Sequence, residues 1–415
     1  MTNPLVVGVD PHPATNTSAF MDAYGRELAR RCTLPNNRPG TEAFVQQLVH
    51  LAADGNFDAI VIATEATGWC WWHFFQTLDH HPLLQQLPLD LYALNPRLTA
   101  TFSKTYGDAD HTDRSDAAMI ADRLRLGRDL PAPFACDERY LPLRLLTRYR
   151  CHLLHALVRE KAYFLAILYL KASEYARLKP FSDLFGVTSR AVIQDFSSLE
   201  EIAALPLSDL ATWIDERGRH NFPDPEANAR KLQQVARDSY VLPDALQAPV
   251  NLILRLSLQT MDRMERHVKR LDTAIAEQVA PFSQPLESIP GIGPVFAAGI
   301  SSEIGDIRRF DADEAKVAKY AGFKWRQHQS GQFVAEETPL TKRGNAYLRY
   351  YRCEAANAVR MHTAEYHAYY DRKYHEVRQH QHKRALVLTA RKLVRLVVRL
   401  LATNQPYQPR RPTIA

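Results

Sequence analysis

The strongest constraint on this chain is the placement of four acidic residues in its first third. Asp10 and Glu65 each follow a short apolar run rich in β-branched residues. Asp113 and Asp116 lie three residues apart at the start of a stretch with helical character. Short apolar runs of this kind indicate buried strands, and positions i and i+3 share one face of a helix. The pattern therefore predicts two strands and a helix whose acidic side chains converge.

Such a cluster of carboxylates is unstable without a cation, because like charges repel. Hard oxygen ligands suit Mg²⁺ or Mn²⁺, and two such ions can stabilise the attacking and leaving oxygens of a phosphodiester. Taken singly, each acid could equally be a helix cap or a solvated helix start. Their order along the chain favours a metal site. We predict that Asp10, Glu65, Asp113 and Asp116 are catalytic and bind Mg²⁺ or Mn²⁺.

The first 133 residues are predicted to form one α/β domain. After Asp10 the chain reads as a tight connection and a second strand, which is how an RNase H-like domain begins. Apolar runs at residues 57–62 and 89–94 alternate with a helical segment at residues 69–78. Alternation of this kind indicates a mixed sheet covered by helices.

Residues 134–282 are predicted to be helical, with one long helix from about Pro243 to Val279. Apolar positions in that helix recur at alternating steps of four and three, with one serine among them: Val250, Leu254, Ser257, Met261, Met264, Val268, Leu271 and Ile275. This heptad seam predicts a coiled coil, within the chain or between two chains. The alternative is an amphipathic helix that packs on its own domain.

Charge and composition point to a nucleic-acid partner and away from a membrane. The formal net charge is +6, and residues 342–400 contain fourteen Lys and Arg against four acidic residues. A basic segment of this kind is typical of phosphate binding, although solvated helix faces can produce the same count. The five cysteines form no C-x-x-C pair, which fits a reducing cytosol. With no secretory signal and no membrane-length apolar run, the sequence predicts a cytoplasmic, nucleoid-associated protein.

The C-terminal third is predicted to be a mainly helical domain at residues 283–402, followed by a tail at residues 403–415. Residues 286–295 resemble the hairpin of a helix-hairpin-helix element, in which glycines let backbone N–H groups approach phosphate oxygens. An ordinary corner between helices would look similar. The predicted nucleic-acid contacts in this third are Gly291, Gly293, Lys342, Arg343, Asn345 and Arg349.

Ser330 is the candidate nucleophile, although local chemistry alone would describe it as a turn residue. It precedes Gly331 in a polar, basic neighbourhood. A serine hydroxyl attacks phosphorus only if its proton is removed and the phosphate charge is neutralised. His328 is the local candidate for a general base, and the carboxylate site could serve instead if the two domains meet on DNA.

These motifs, taken together, resemble the DEDD transposases of bacterial insertion sequences, the bridge-RNA-guided serine recombinases. The resemblance rests on the four acids in their order and on C-terminal blocks at residues 289–294, 309–310, 320–322, 330–331, 341–345 and 348–349. It implies a RuvC-like domain of the RNase H-like class, a helical coiled-coil insertion and a C-terminal transposase domain. The sequence departs from the family by having Gln329 where many members carry a second serine.

The resemblance also implies a function. Ser330 would attack the DNA backbone to form a phosphoserine intermediate, the carboxylate site would bind Mg²⁺ and assist, and an element-encoded guide RNA would select the DNA partners. Exchange between two duplexes requires several strand breaks, so a homodimer or homotetramer is expected. Two alternatives remain open: a RuvC-like junction nuclease in which water attacks, and a non-enzymatic nucleic-acid scaffold.

Overall fold

The computed structural model of the chain forms two compact units, Met1–Glu138 and Arg139–Ala415. It describes residues 3–106, 112–128, 130–135, 137–281, 285–325, 329–330, 333–334, 340–341 and 343–409. The division into regions at residues 133, 282 and 402 stays a prediction. Among the described residues, no helix is both long and apolar enough to cross a membrane.

The N-terminal unit is built on a mixed five-stranded sheet with the strand order β3-β2-β1-β4-β5. β1 pairs with β2 in antiparallel and with β4 in parallel orientation, and β4 pairs with β5 in parallel. The strands are β1 Pro4–Pro11, β2 Thr15–Met21, β3 Cys32–Pro35, β4 Ala59–Glu65 and β5 Leu89–Leu94. This confirms the predicted mixed sheet and adds β3, a short edge strand.

In the described part of this unit the sheet is accompanied by the helices α1 Arg38–Asp54, α2 Trp72–Asp79, α3 Pro96–Ser103 and α4 Asp113–Arg125. Successive side chains of a strand point to opposite faces. In β1, Leu5 and Val7 therefore pack with α1 and α2, whereas Val6 packs with Ile120 and Leu124 of α4. Burial on both faces explains why β1 and β4 read as nearly continuous apolar runs.

The second unit is mainly helical. Its first part contains α5 Leu141–Lys171, α6 Tyr175–Leu178, α7 Val187–Asp195, α8 Leu199–Ala204, α9 Leu207–Arg217, α10 Pro225–Asp238 and α11 Asp244–Val279. Asp224 caps α10, and Pro225 is its first residue. The bounds of α11 agree with the predicted helix from about Pro243 to Val279.

The heptad seam of α11 packs against α5 of the same chain. Leu254 and Met261 are fully buried and share a core with Phe164 and Leu168 of α5. The one polar member, Ser257, has a partner: its hydroxyl donates to Glu160 Oε1 on α5 at 2.5 Å. The packing therefore supports the interpretation that α11 pairs with a helix of its own domain, and a coiled coil between chains stays a prediction.

The last part contains α12 Pro294–Ile304, α13 Glu314–Tyr320, β6 Gln329–Ser330, β7 Phe333–Val334, α14 Ala346–His362, α15 Ala364–His375 and α16 Gln381–Thr403. Its core is formed by α12, α14 and α16, with Tyr351 and Leu393 fully buried. Trp325 forms an antiparallel bridge with Leu340, and β6 pairs with β7 in antiparallel orientation. We call the described residues of this segment, 325, 329–330, 333–334 and 340, the hairpin arm.

Candidate metal centre and nucleic-acid interface

Two of the predicted acids leave neighbouring strands at one edge of the sheet. β1 and β4 are parallel, and Val9 lies opposite Thr64 in their register. Asp10 and Glu65 are the next residues of the two strands, so both carboxylates lie at the C-terminal edge. Because side chains alternate along a strand, Asp10 lies on the same face as Gly8, which is the face covered by α4.

A close contact between backbones brings α4 to that face. A Cβ atom added to Gly8 would lie 2.1 Å from the carbonyl oxygen of Ala117 and 2.3 Å from the amide nitrogen of Ala121. Only glycine permits this approach. The helix begins at this edge of the sheet, where Thr112 and Ser115 form a capping box. The sequence analysis did not identify the role of Gly8, although a glycine inside a strand often marks close backbone approach.

The structure adds a histidine to the acidic cluster. His12 Nε2 lies 3.4 Å from Asp10 Oδ2 and 3.4 Å from Asp113 Oδ1. One ligand atom from each of these three residues falls within 4.8 Å of the others. The sequence could have indicated that His12 joins the cluster, because His12 is two residues beyond Asp10 and therefore lies on the same face of an extended chain.

The charges of all the other predicted acids affect the pKa of Asp10. Burial raises the pKa of Asp10 from 3.8 to about 6, His12 opposes the rise, and the charges of Asp116, Asp113 and Glu65 add to it. A carboxylate that is hard to ionise beside other carboxylates is relieved by a bound cation. The donor set of carboxylates with one imidazole therefore fits a divalent metal, with its oxygen ligands favouring Mg²⁺ or Mn²⁺.

Glu65 is held in place by two hydroxyl groups. Thr67 donates to Glu65 Oε1 at 2.7 Å, and the fully buried Thr99 of α3 donates to Glu65 Oε2. Metal-binding carboxylates are commonly oriented by such hydrogen bonds. Thr99 was not identified from the sequence, because its role depends on α3 folding back to the end of β4.

In the second unit, the end of α13 at Tyr320 contacts the Gly344-Asn345 segment at the start of α14. The Asn345 amide N–H donates to the Tyr320 carbonyl at 2.7 Å. Gly344 has a φ of +136°, and a Cβ atom there would lie 2.4 Å from the same carbonyl oxygen. The chain can therefore turn into α14 only with glycine at this position. Asn345 is the N-terminal cap of α14.

Both polar atoms of the Asn345 side chain form hydrogen bonds within the protein. Its Oδ1 accepts from the Leu348 amide at 2.9 Å, which caps α14, and its Nδ2 donates to Glu303 Oε2 at 2.6 Å. Glu303 is 1% exposed and also receives two hydrogen bonds from Arg148, at 2.6 and 2.9 Å. These contacts join α5, α12 and α14 and give Asn345 a clear anchoring role. Its predicted contact with nucleic acid stays a prediction.

The two predicted hairpin glycines differ in their surroundings. Gly291 has a φ of +95°, and a Cβ atom there would meet the Ala358 backbone of α14 at 2.8 Å. The turn at Gly291 is therefore needed for internal packing. Gly293 caps α12, and a Cβ atom there would meet nothing within 4 Å among the described residues. Of the two, Gly293 has the open backbone that a phosphate contact requires.

The remaining predicted contacts lie around the hairpin arm and α14. Arg343 is exposed, whereas Arg349 donates to the Ala321 carbonyl at 3.2 Å. Ser330 lies in β6, where its backbone is opposite Phe333 of β7. Lys342 and the candidate base His328 lie outside the described residues.

Comparisons with known proteins agree with this architecture. A model of IS110-type DEDD transposases matches residues 7–171, and a model described as the transposase IS116/IS110/IS902 family matches residues 283–371. The insertion element IS116 uncharacterised 44.8 kDa protein of Streptomyces clavuligerus is 26% identical over 318 residues, covering 76% of this chain and 77% of the relative. The insertion element IS900 uncharacterised 42 kDa protein of Mycobacterium paratuberculosis is 23% identical over 321 residues, covering 75% and 76%.

The matched DEDD region contains all four predicted acids, and such a domain implies dependence on a divalent metal. The C-terminal match contains the α12 start, the hairpin arm and the whole of α14. The two matches together account for both ends of the chain. The chain therefore carries two transposase domains of the IS116/IS110/IS902 insertion-sequence family, one at residues 7–171 and one at residues 283–371.

Proposed function

We propose that this transposase cleaves and rejoins DNA through a phosphoserine intermediate at Ser330. The Ser330 hydroxyl gives up its proton as its oxygen forms a bond to phosphorus, the phosphodiester bond to the neighbouring nucleotide breaks, and the departing sugar oxygen takes up a proton. Attack by a hydroxyl of the incoming strand reverses these steps and releases the serine. A phosphoserine retains the energy of the broken bond for rejoining, whereas hydrolysis does not.

The observation that carries the proposal is the convergence of the acidic residues at one edge of the sheet. Asp10, Asp113 and His12 approach within ligand distance of one another, and Asp10 senses the charges of Glu65 and Asp116. When bound there, a divalent cation supplies positive charge to the phosphate undergoing attack. The chain's own contribution is a carboxylate edge fixed by α4 packing and by the hydroxyl groups on Glu65.

In the second unit, the proposed phosphate contacts are Arg343, Lys342 and Arg349, with Gly293 offering an open backbone. The Asn345–Glu303–Arg148 contacts would position the first turn of α14 for this task. We further propose that an element-encoded RNA selects the DNA partners and that the active assembly is a homodimer or homotetramer. These last two statements rest on the family resemblance.

The test is a covalent-trapping experiment on the full-length protein expressed with its native flanking DNA. Wild type, Ser330→Ala and Asp116→Asn would be incubated with Mg²⁺ and DNA that carries the joined element ends. The reaction is stopped with denaturant, and protein-linked DNA is separated from free DNA. We expect an adduct in wild type and none in either variant.

The junction-nuclease alternative predicts a different pattern in the same experiment. Water would then be the nucleophile, so Ser330→Ala would cut DNA at the wild-type rate and leave free ends. Asp116→Asn would still abolish cutting. That combination would refute the phosphoserine proposal while retaining the metal centre. An Asp10→Asn variant with full activity would refute the metal centre itself.

A further inference from the structure

In the C-terminal half of the long helix α11, most acidic side chains are paired within the protein and the basic side chains are exposed. Three of its four acids, Asp262, Glu265 and Asp272, have basic partners on other helices of the second unit. Arg190 of α7 binds Asp262 and Glu265, and Arg150 of α5 binds Asp272. These three acids are therefore neutralised by the protein itself, and the fourth, Glu277, is exposed near the end of the helix.

The basic residues of the same turns are exposed. Arg263, Arg266, Lys269 and Arg270 lie on the solvent side of α11. Among the described residues, none of these four side chains forms an ion pair with an acid within 4.0 Å. Arg263, Arg266 and Arg270 follow the i, i+3, i+7 spacing that places side chains on one helical face. We call these four residues the α11 basic face.

An ordinary solvated helix face carries both signs of charge, and ion pairs on it contribute little to stability. The α11 basic face differs because its acids have been withdrawn into contacts with α5 and α7. Arg263 to Arg270 spans about 10 Å at 1.5 Å per residue. That length matches about three phosphates of one strand at 3.4 Å spacing along a duplex. The face ends at Glu277, two turns beyond Arg270.

We propose that the α11 basic face binds the phosphodiester backbone of duplex DNA during transposition. This inference rests on the proposed function only in that the chain handles DNA. It identifies a contact surface in the helical middle of the chain, outside both regions matched by family models. Arginine suits this task because its guanidinium group can donate two parallel hydrogen bonds to a phosphate.

The decisive variant is Arg263→Gln/Arg266→Gln/Arg270→Gln in the full-length chain. Its matched control removes three exposed positive charges from α10 and the turn that precedes it, by Arg219→Gln/Lys231→Gln/Arg237→Gln. Two probes are used separately: a duplex that carries the joined element ends, and an RNA transcribed from the element's flanking DNA. Binding is measured from 50 to 300 mM salt.

We expect the triple α11 variant to flatten the slope of log K against log salt by about three for a duplex, since each phosphate contact contributes about 0.9. The control variant should keep the wild-type slope. A change with the duplex supports the proposal, whereas a change with the RNA alone would overturn it and assign the face to RNA. An unchanged slope for every probe that wild type binds would overturn the proposal. An unchanged slope together with an altered oligomeric mass would also overturn it and assign the face to a protein contact.

These results are separable from failure of the proposed function. If wild type binds no RNA, RNA guidance fails, yet the duplex still tests the α11 basic face. Ser330→Ala serves as the converse control, because it should lose the covalent adduct and keep the full salt slope. Unfolding of the triple variant should match wild type, since its arginines have no ion pair to lose among the described residues.

Discussion

The substitution Gly8→Ala tests how the fold builds the metal centre. The added methyl group would lie 2.1 Å from the Ala117 oxygen and 2.3 Å from the Ala121 nitrogen, where 3.4 Å begins ordinary contact. Both atoms belong to the α4 backbone and cannot rotate away. The helix must therefore retreat from β1 by about 1.3 Å, the difference between 3.4 and 2.1 Å. Overpacking of this kind costs about 1–3 kcal/mol.

The retreat carries Asp113 and Asp116 away from Asp10. A misplacement of about 1 Å in a catalytic group can reduce the rate about 100-fold, so we expect adduct formation to fall by that factor. Rates are measured by trapping on joined-end DNA, and stability by urea unfolding. The control is Gly186→Ala, where the added methyl group meets nothing closer than 3.2 Å. Wild-type stability and wild-type adduct formation in Gly8→Ala would show that α4 does not set the site.

Three further predictions concern buried charge. Glu303→Gln removes the carboxylate that Arg148 binds and should lower the free energy of unfolding by about 1–3 kcal/mol, whereas exposed Glu277→Gln should change urea unfolding by less than about 0.5 kcal/mol. In EDTA, the free energy of unfolding of the N-terminal unit should fall as the pH rises from 4 to above 6. The reason is the raised pKa of Asp10: over this pH range the native state holds a proton that the unfolded chain has released. Asp10→Asn should abolish this loss in urea titrations at several pH values. The fully buried guanidinium of Arg352 has no hydrogen-bond partner among the described residues, and burial lowers its pKa to about 9. We therefore expect Arg352→Met to unfold at the same urea concentration as wild type or at a higher one. A lower urea midpoint would contradict this reasoning.

The sequence predicts those parts of the fold that depend on local pattern. The run before Asp10 and the run before Glu65 became adjacent parallel strands, because residues buried on both faces form continuous apolar segments. The start of α14 was predictable from Gly344-Asn345, since a left-handed turn and a cap are both local needs. The long helix α11 followed from its heptad spacing.

What the sequence did not predict depends on residues far apart in the chain. Arg148 and Glu303 are 155 positions apart, and nothing near either residue indicates the other. Thr99 reaches Glu65 only because α3 returns to the end of β4. The short strand β3 has no apolar run, because as an edge strand it is largely exposed. In each case the tertiary fold supplies the partner.

The position of α5 shows why the matched region and the folded unit end at different residues. The DEDD family model extends to residue 171, but the compact N-terminal unit ends at Glu138. α5 lies between these points and buries Phe164 and Leu168 in the core that it shares with α11. It also carries Arg148 to Glu303 on α12. A helix with these contacts belongs energetically to the second unit, because burial of apolar surface dominates stability. The last fifth of the DEDD match is therefore also part of the framework that anchors α14, and a substitution on α5 can alter the start of α14 without touching the carboxylate edge.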